Sequence, residues 1–217
     1  MLLYLIRHGE TNWNVEGRMQ GQTDIPLNEN GIRLAQETAR GMADIRFDLC
    51  ITSPLKRARQ TAEIILGDRR VPIREDWRIG ELSFGEWEGL GCRAGNYEVP
   101  VEPERFRLFY TDPLHFQAAP GGESIAQLCQ RTEQFWRELT ADPALQDKTV
   151  LIATHGCAMR AILRNVYADK TDFWHGQVPV NCAVNIVEVK DGRAKLLAED
   201  KIYYDPSAAV NYFKATV

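Results

Sequence analysis

Apolar residues along this chain fall into short continuous runs that stop abruptly, separated by stretches of helical period. Leu2-Leu3-Tyr4-Leu5-Ile6 ends at Arg7-His8-Gly9-Glu10-Thr11, which reads as a buried strand whose C-terminal end opens into a surface crevice. Leu49-Cys50-Ile51 ends in the same way at Thr52-Ser53-Pro54, and Val150-Leu151-Ile152-Ala153 at Thr154-His155-Gly156. Between the runs, Asn28 reads as the N-cap of a helix that buries Ile32, Ala35, Ala39 and Met42. Ser53-Pro54 reads as the cap and first-turn proline of a second helix, which carries Arg57 in its first turn, buries Leu55, Ala58, Ala62 and Ile65, and stops at Gly67. A short strand is expected at 71–73. Helical spacing resumes with Ile125, Leu128, Phe135 and Leu139, and again from about Cys157 to Val166. Val184–Val189 and Ala194–Ala198, joined across Asp191-Gly192, form a closing hairpin. This alternation predicts a three-layer α/β/α sandwich around a mostly parallel central sheet.

In a parallel sheet the C-terminal strand ends share one edge, where open α/β folds place their ligands. That edge would gather Arg7, His8, Arg57 and His155: two cations and two imidazoles, suited to an anionic substrate. The period weakens from Gly91 to Gly122, where prolines stand at 100, 103, 113 and 120 around a short aromatic stretch, Phe106, Leu108, Phe109 and Tyr110. This segment reads as an insertion or lid at about 91–122 of one domain spanning 1–217.

Leu5-Ile6-Arg7-His8-Gly9-Glu10-Thr11 with Trp13-Asn14, followed by Gly17-Arg18-Met19-Gln20-Gly21-Gln22-Thr23-Asp24-Ile25-Pro26-Leu27 and Gly31, resembles the histidine phosphatase superfamily. The run from Ser53 to Ala62, Gly80-Glu81-Leu82-Ser83-Phe84-Gly85-Glu86-Trp87-Glu88-Gly89 and Thr154-His155-Gly156 follow in that family's order. The resemblance implies a phosphoglycerate mutase-like fold and a phosphomonoester hydrolase that works through a covalent phosphohistidine. It implies His8 as nucleophile, Arg7, Arg57 and His155 as clamps on the phosphoryl group, and Asn14, Gln20 and Thr23 as further phosphate or substrate contacts. Glu81 takes the place of the proton donor, with flanking Leu82 and Phe84 expected to bury it enough to hold a proton; Glu86 and Glu88 are nearby competitors. The family also includes cofactor-dependent phosphoglycerate mutases. The Trp-Arg-Arg-Ser type segment that mutases carry after the catalytic Glu is absent, which favours the phosphatase branch. A phospho-ligand-binding module without catalysis is a third reading, but it would usually have lost one of His8, Arg57, Glu81 or His155.

A net charge of −4 gives no global attraction to nucleic acid or anionic membranes, so a small phosphorylated molecule is the expected partner and a homodimer is admitted. Cys50, Cys92, Cys129, Cys157 and Cys182 are odd in number and contain no Cys-x-x-Cys pair, so neither a disulfide framework nor a zinc knot is indicated. The first apolar run is too short for a secretory signal and no longer span follows, which places the expectation in the cytoplasm. His115 and His175 fit no motif, no His-x-x-x-His spacing occurs, and neither a metal nor a cofactor is expected.

Overall fold

The computed structural model describes residues 1–210, so the last seven residues of the expected 1–217 domain lie outside the described residues. Strand β1 (Leu2–Arg7) runs into helix α1 (Asn12–Glu16) and then α2 (Glu29–Gly41), followed by β2 (Leu49–Thr52), α3 (Lys56–Leu66) and β3 (Ile73–Glu75). The middle of the chain holds a small hairpin, β4 (Cys92–Arg93) and β5 (Asn96–Tyr97), and two short helices, α4 (Pro103–Phe106) and α5 (Leu108–Thr111). It closes with α6 (Ile125–Ala141), β6 (Thr149–Thr154), α7 (Gly156–Leu163), β7 (Val184–Lys190) and β8 (Arg193–Lys201).

The main sheet has the order β3-β2-β6-β1-β7-β8. β1, β2, β3 and β6 are parallel to their neighbours among themselves, and β7 and β8 add an antiparallel edge. Successive residues of a strand point to opposite faces, and each face finds its own layer of helix. Leu3, Leu5, Ile51, Val150 and Ile152 pack with Phe135, Trp136 and Leu139 of α6 and Met159 and Ile162 of α7. Tyr4, Ile6, Cys50, Leu151 and Ala153 pack on the other side with Leu34 and Ala35 of α2 and Ala62 and Ile65 of α3. Burial on both faces explains why the strands read as unbroken apolar runs. Each fully buried Leu or Ile adds about 1.5–3 kcal/mol of transfer free energy. A third apolar cluster, including Trp87, Phe106, Phe109, Phe116 and Trp174, lies under residues 91–122.

Asn28 does cap α2, its Oδ1 accepting from Gly31 N at 2.7 Å. The buried face of α2 is Gly31, Leu34, Ala35 and Thr38, however, and Ile32 is 38% exposed rather than buried. The cause is Gly31, which carries no apolar signal in the sequence yet sits so close to β1's exit that a Cβ on it would lie 2.6 Å from Glu10 N. α3 begins at Lys56, after an N-cap at Leu55, and not at Ser53-Pro54. Its first N–H is capped from outside, Lys56 N donating to Asp24 Oδ1 at 2.7 Å, so Ser53 is left for another task. β3 lies at 73–75 rather than 71–73, and α7 ends at Leu163, short of Val166.

Candidate active site

Register places the ends of β1 and β6 level with each other and the end of β2 one residue short of them. Arg7 pairs with Thr154 across β1 and β6, and Thr52 with Ala153 across β2 and β6. His8 after β1 and His155 after β6 therefore emerge level with each other, and Ser53 after β2 emerges one residue earlier, level with Thr154. The His8 and His155 rings stand 5.2 Å apart, centre to centre.

His8 is buried, and its Nδ1 lies 2.6 Å from the Gly9 carbonyl. A carbonyl can only accept, so Nδ1 carries the proton and Nε2 keeps its lone pair. Burial first, and then the guanidiniums of Arg57 and Arg7, hold its pKa well below the ordinary 6.5, so the ring is neutral at pH 7. His155 is likewise held well below 6.5, by burial and then by Arg57. Its Nε2 lies 2.8 Å from Ser53 Oγ. Its Nδ1 is buried without a hydrogen-bond partner among the described residues, as is Arg57 Nε. Buried polar atoms seldom stay unpaired, and two such atoms at the sheet edge mark where an oxygen-rich ligand would be received.

Arg57 is fully buried, with Nη1 donating to Thr23 O at 2.8 Å and Nη2 to Gly21 O at 2.6 Å. Burial pulls its pKa down to about 10, which still leaves it charged at neutral pH. Arg7 donates from Nη1 to the Pro179 carbonyl; burial lowers its pKa too, against the attraction of Glu81. Asn14 is placed by a reciprocal cap with Thr11 at the start of α1. Its Oδ1 accepts from Thr11 N, Thr11 Oγ1 and Asn181 Nδ2 at 3.1–3.3 Å, which leaves its amide N–H groups for the cavity it lines.

Glu81 is 8% exposed and reaches the first turn of α7. Cys157 N (3.2 Å), Ala158 N (3.1 Å) and its own neighbour Leu82 N (2.9 Å) all donate to the carboxylate. A Cβ on Gly156 would lie 2.9 Å from Val178 Cγ1 but 3.7 Å from Glu81 Oε2, so the glycine makes room for Val178 and not for the carboxylate. Glu88 has a different position. Its carboxylate accepts from Gln22 N, Thr23 N, Thr23 Oγ1 and Phe84 N at 2.5–3.1 Å, tying down the loop whose carbonyls hold Arg57.

Arg7, His8, Asn14, Gln20, Arg57 and Glu81 all line one cavity of about 660 Å³, its mouth included, and His155 abuts His8. Thr23 does not line it: its hydroxyl is spent on Glu88, and only its backbone serves Arg57. Gln20 lines the wall and accepts from Thr11 Oγ1 at 2.9 Å. Sequence reasoning missed Ser53 as the partner of His155, and it missed Asn181, which also donates to the His8 carbonyl at 3.1 Å. It also missed Trp174 and Val178 in the wall. Ser53 had a signal, since a helix cap and a strand-end hydroxyl compete for the same residue. The other three stand in an aperiodic stretch that carries none.

An α/β sheet whose parallel strand ends converge on paired imidazoles and guanidiniums defines a phosphate-handling protein of the phosphoglycerate mutase-like fold. The sequence model of the histidine phosphatase superfamily (branch 1) matches residues 3–200, and the chain belongs to that family. It is 35% identical over 182 residues to the phosphatase PhoE of Bacillus subtilis, covering 84% of this chain and 86% of that one. It is 30% identical over 194 residues to a 2,3-bisphosphoglycerate-dependent phosphoglycerate mutase of Nitratidesulfovibrio vulgaris, covering 76% of each. The solved structure of Bacillus stearothermophilus YhfR superposes with a TM-score of 0.83 at 33% identity, over 93% of this chain and 97% of the other. Family and relatives together support phosphatase activity. No helix among the described residues is long and apolar enough to cross a membrane.

Proposed function

We propose that this chain hydrolyses phosphomonoesters of small metabolites through a phosphohistidine on His8, with water as the main acceptor and without a metal. The observation that carries this reading is the His8 Nδ1 contact with Gly9 O, which leaves a neutral nucleophilic Nε2 beside two buried guanidiniums. Nε2 attacks phosphorus in line as the bond to the leaving oxygen breaks. Arg7, Arg57, Asn14 and His155 Nδ1–H meet the equatorial oxygens, where negative charge gathers in the transition state. Glu81 supplies the proton to the leaving alkoxide. Once the alcohol departs, the carboxylate takes a proton from water as water attacks phosphorus, the N–P bond breaks, and inorganic phosphate is released. Two permanent cations already serve the role a metal would fill. Residues 91–122 act as a lid over this chemistry, and a cytoplasmic setting fits a thiol-bearing chain of this kind.

Rapid quench with p-nitrophenyl phosphate, followed by mass spectrometry, tests the central step. The expected result is an acid-labile phosphate on His8, absent in His8→Ala, with turnover in that variant reduced at least about 10⁴-fold. Wild-type turnover in His8→Ala would overturn the reading. Activity should survive EDTA. Interconversion of 2- and 3-phosphoglycerate that outran phosphate release would assign the chain to the mutases instead.

A further inference from the structure

Residues 179–183 belong to no helix or strand, yet the stretch is bonded closely to the end of β1. Pro179 O accepts from the Arg7 guanidinium, Cys182 N donates to Arg7 O at 3.2 Å, and Arg7 N donates to Ala183 O at 3.0 Å. At Asn181 the contact is made by the side chain, whose Nδ2 donates to His8 O at 3.1 Å and to Asn14 Oδ1 at 3.3 Å. The Asn181 backbone carbonyl accepts from the Tyr204 hydroxyl at 2.7 Å, which holds the residue from the other side. Asn181 is buried and stands behind the cavity wall rather than in it.

A backbone carbonyl can only accept, so the Asn181 atom facing His8 O is the amide nitrogen, and its second N–H needs an acceptor on Asn14. That acceptor is Oδ1, which turns the Asn14 amide nitrogen the other way, towards the cavity. Thr11 N supports the same orientation at 3.1 Å, but the single proton of the Thr11 hydroxyl has a nearer acceptor in Gln20 Oε1, at 2.9 Å against 3.2 Å. The torsion that exchanges oxygen and nitrogen in an asparagine is soft and two-fold. An Asn14 turned round would present an oxygen to the phosphate. Resting on the phosphatase reading above, we propose that Asn181 is a positioning residue of the phosphate site: it locks the Asn14 amide with its N–H groups towards the phosphoryl oxygens and ties that donor to the backbone of the nucleophile. Asn181 touches no substrate and acts through Asn14.

A double-mutant cycle on phosphate binding separates positioning from a purely structural role, and it needs no turnover. Calorimetric titration of the full chain with inorganic phosphate should show Asn14→Ala binding about 10- to 100-fold more weakly, as the loss of one donor to a charged group implies. Asn181→Leu keeps the volume without the donor. It should weaken binding about fivefold alone, and less than about twofold in the Asn14→Ala background. The kcat/KM for p-nitrophenyl phosphate should repeat the pattern. Tyr204→Phe is nearly isosteric and loosens Asn181 from behind; it should cost about threefold, again only while Asn14 is present, and it carries the cycle if Asn181→Leu does not fold. Equal losses in the two backgrounds, or no loss in either variant, overturn the proposal even where the melting temperature falls. Coupled losses of phosphate binding in a chain that hydrolyses no ester would sink the phosphatase reading and leave the role of Asn181 standing.

Discussion

The floor and the roof of this cavity are built by different rules. On the floor, Arg7, Arg57, His8 and His155 are each aimed by a specific polar contact, to Pro179 O, to Gly21 O and Thr23 O, to Gly9 O and to Ser53 Oγ. In the roof, rings lean on rings. Phe109 contacts Phe84 at 5.6 Å and Trp174 at 5.4 Å between centres, and Phe106 stacks on it at 6.0 Å. Hydrogen-bonded networks lose much when one member goes, whereas apolar packing accepts exchanges that conserve volume. The floor is therefore the part that must stay the same for the chemistry, and the roof is the part free to differ between chains with different substrates.

If that division is correct, damage to the floor should be indifferent to the leaving group unless it touches the proton donor. Glu81→Gln keeps the size but cannot readily give up a proton. It should cost about 10²–10⁴-fold with an alkyl phosphate and far less with p-nitrophenyl phosphate in the burst of alcohol release. Equal burst losses for both esters would move the acid role elsewhere. Next in size, Arg57→Ala should cost about 10²–10³-fold on either ester, since it removes charge stabilisation common to both transition states.

Glu88→Ala should follow at about 10- to 100-fold on either ester, because freeing the Gln22–Thr23 backbone lets the Arg57 fork drift. Glu88→Gln keeps one acceptor oxygen and should recover part of the loss. A fall in melting temperature with unchanged kinetics would mean that Glu88 serves only the fold.

The smallest effect is on stability against pH. His8 and His155 are held neutral in the folded chain, while the unfolded chain protonates them near pH 6.5. Below that pH the unfolded state binds more protons, so stability falls as acid is added, by up to about 1.4 kcal/mol per pH unit for each histidine. Urea midpoints at pH 7 and pH 5 should show this slope, and His8→Asn should flatten it. The acid limb of kcat/KM should lie below pH 6.5 for the same reason.

Most of the floor could be read from the sequence, because abrupt apolar runs locate strand ends and the residues just past them. The closing hairpin and the buried positions of α6 were legible on the same grounds. The α2 face was not, because its nearest approach is made by a glycine. Nor could the work of Glu88 be seen, since its partners are backbone N–H groups 65 and 66 residues away. The roof resisted for another reason: ring packing has no period, and Trp174 comes from a stretch without regular structure. Thr23 shows the limit of resemblance. Its place in the motif was read as a substrate contact, while the structure turns its hydroxyl to Glu88.

The matched register of β1 and β6 also decides where this chain can change length. Neighbouring strands are about 4.8 Å apart and their residues alternate in facing, so deleting one residue from Leu2–Arg7 would send His8's successor position to the face now held by its neighbour. No side-chain substitution could restore that. An extension between Gly91 and Gly122 costs only in proportion to the logarithm of the loop's length. New substrates can thus be met by lengthening the 91–122 segment, while β1 tolerates neither a gained nor a lost residue.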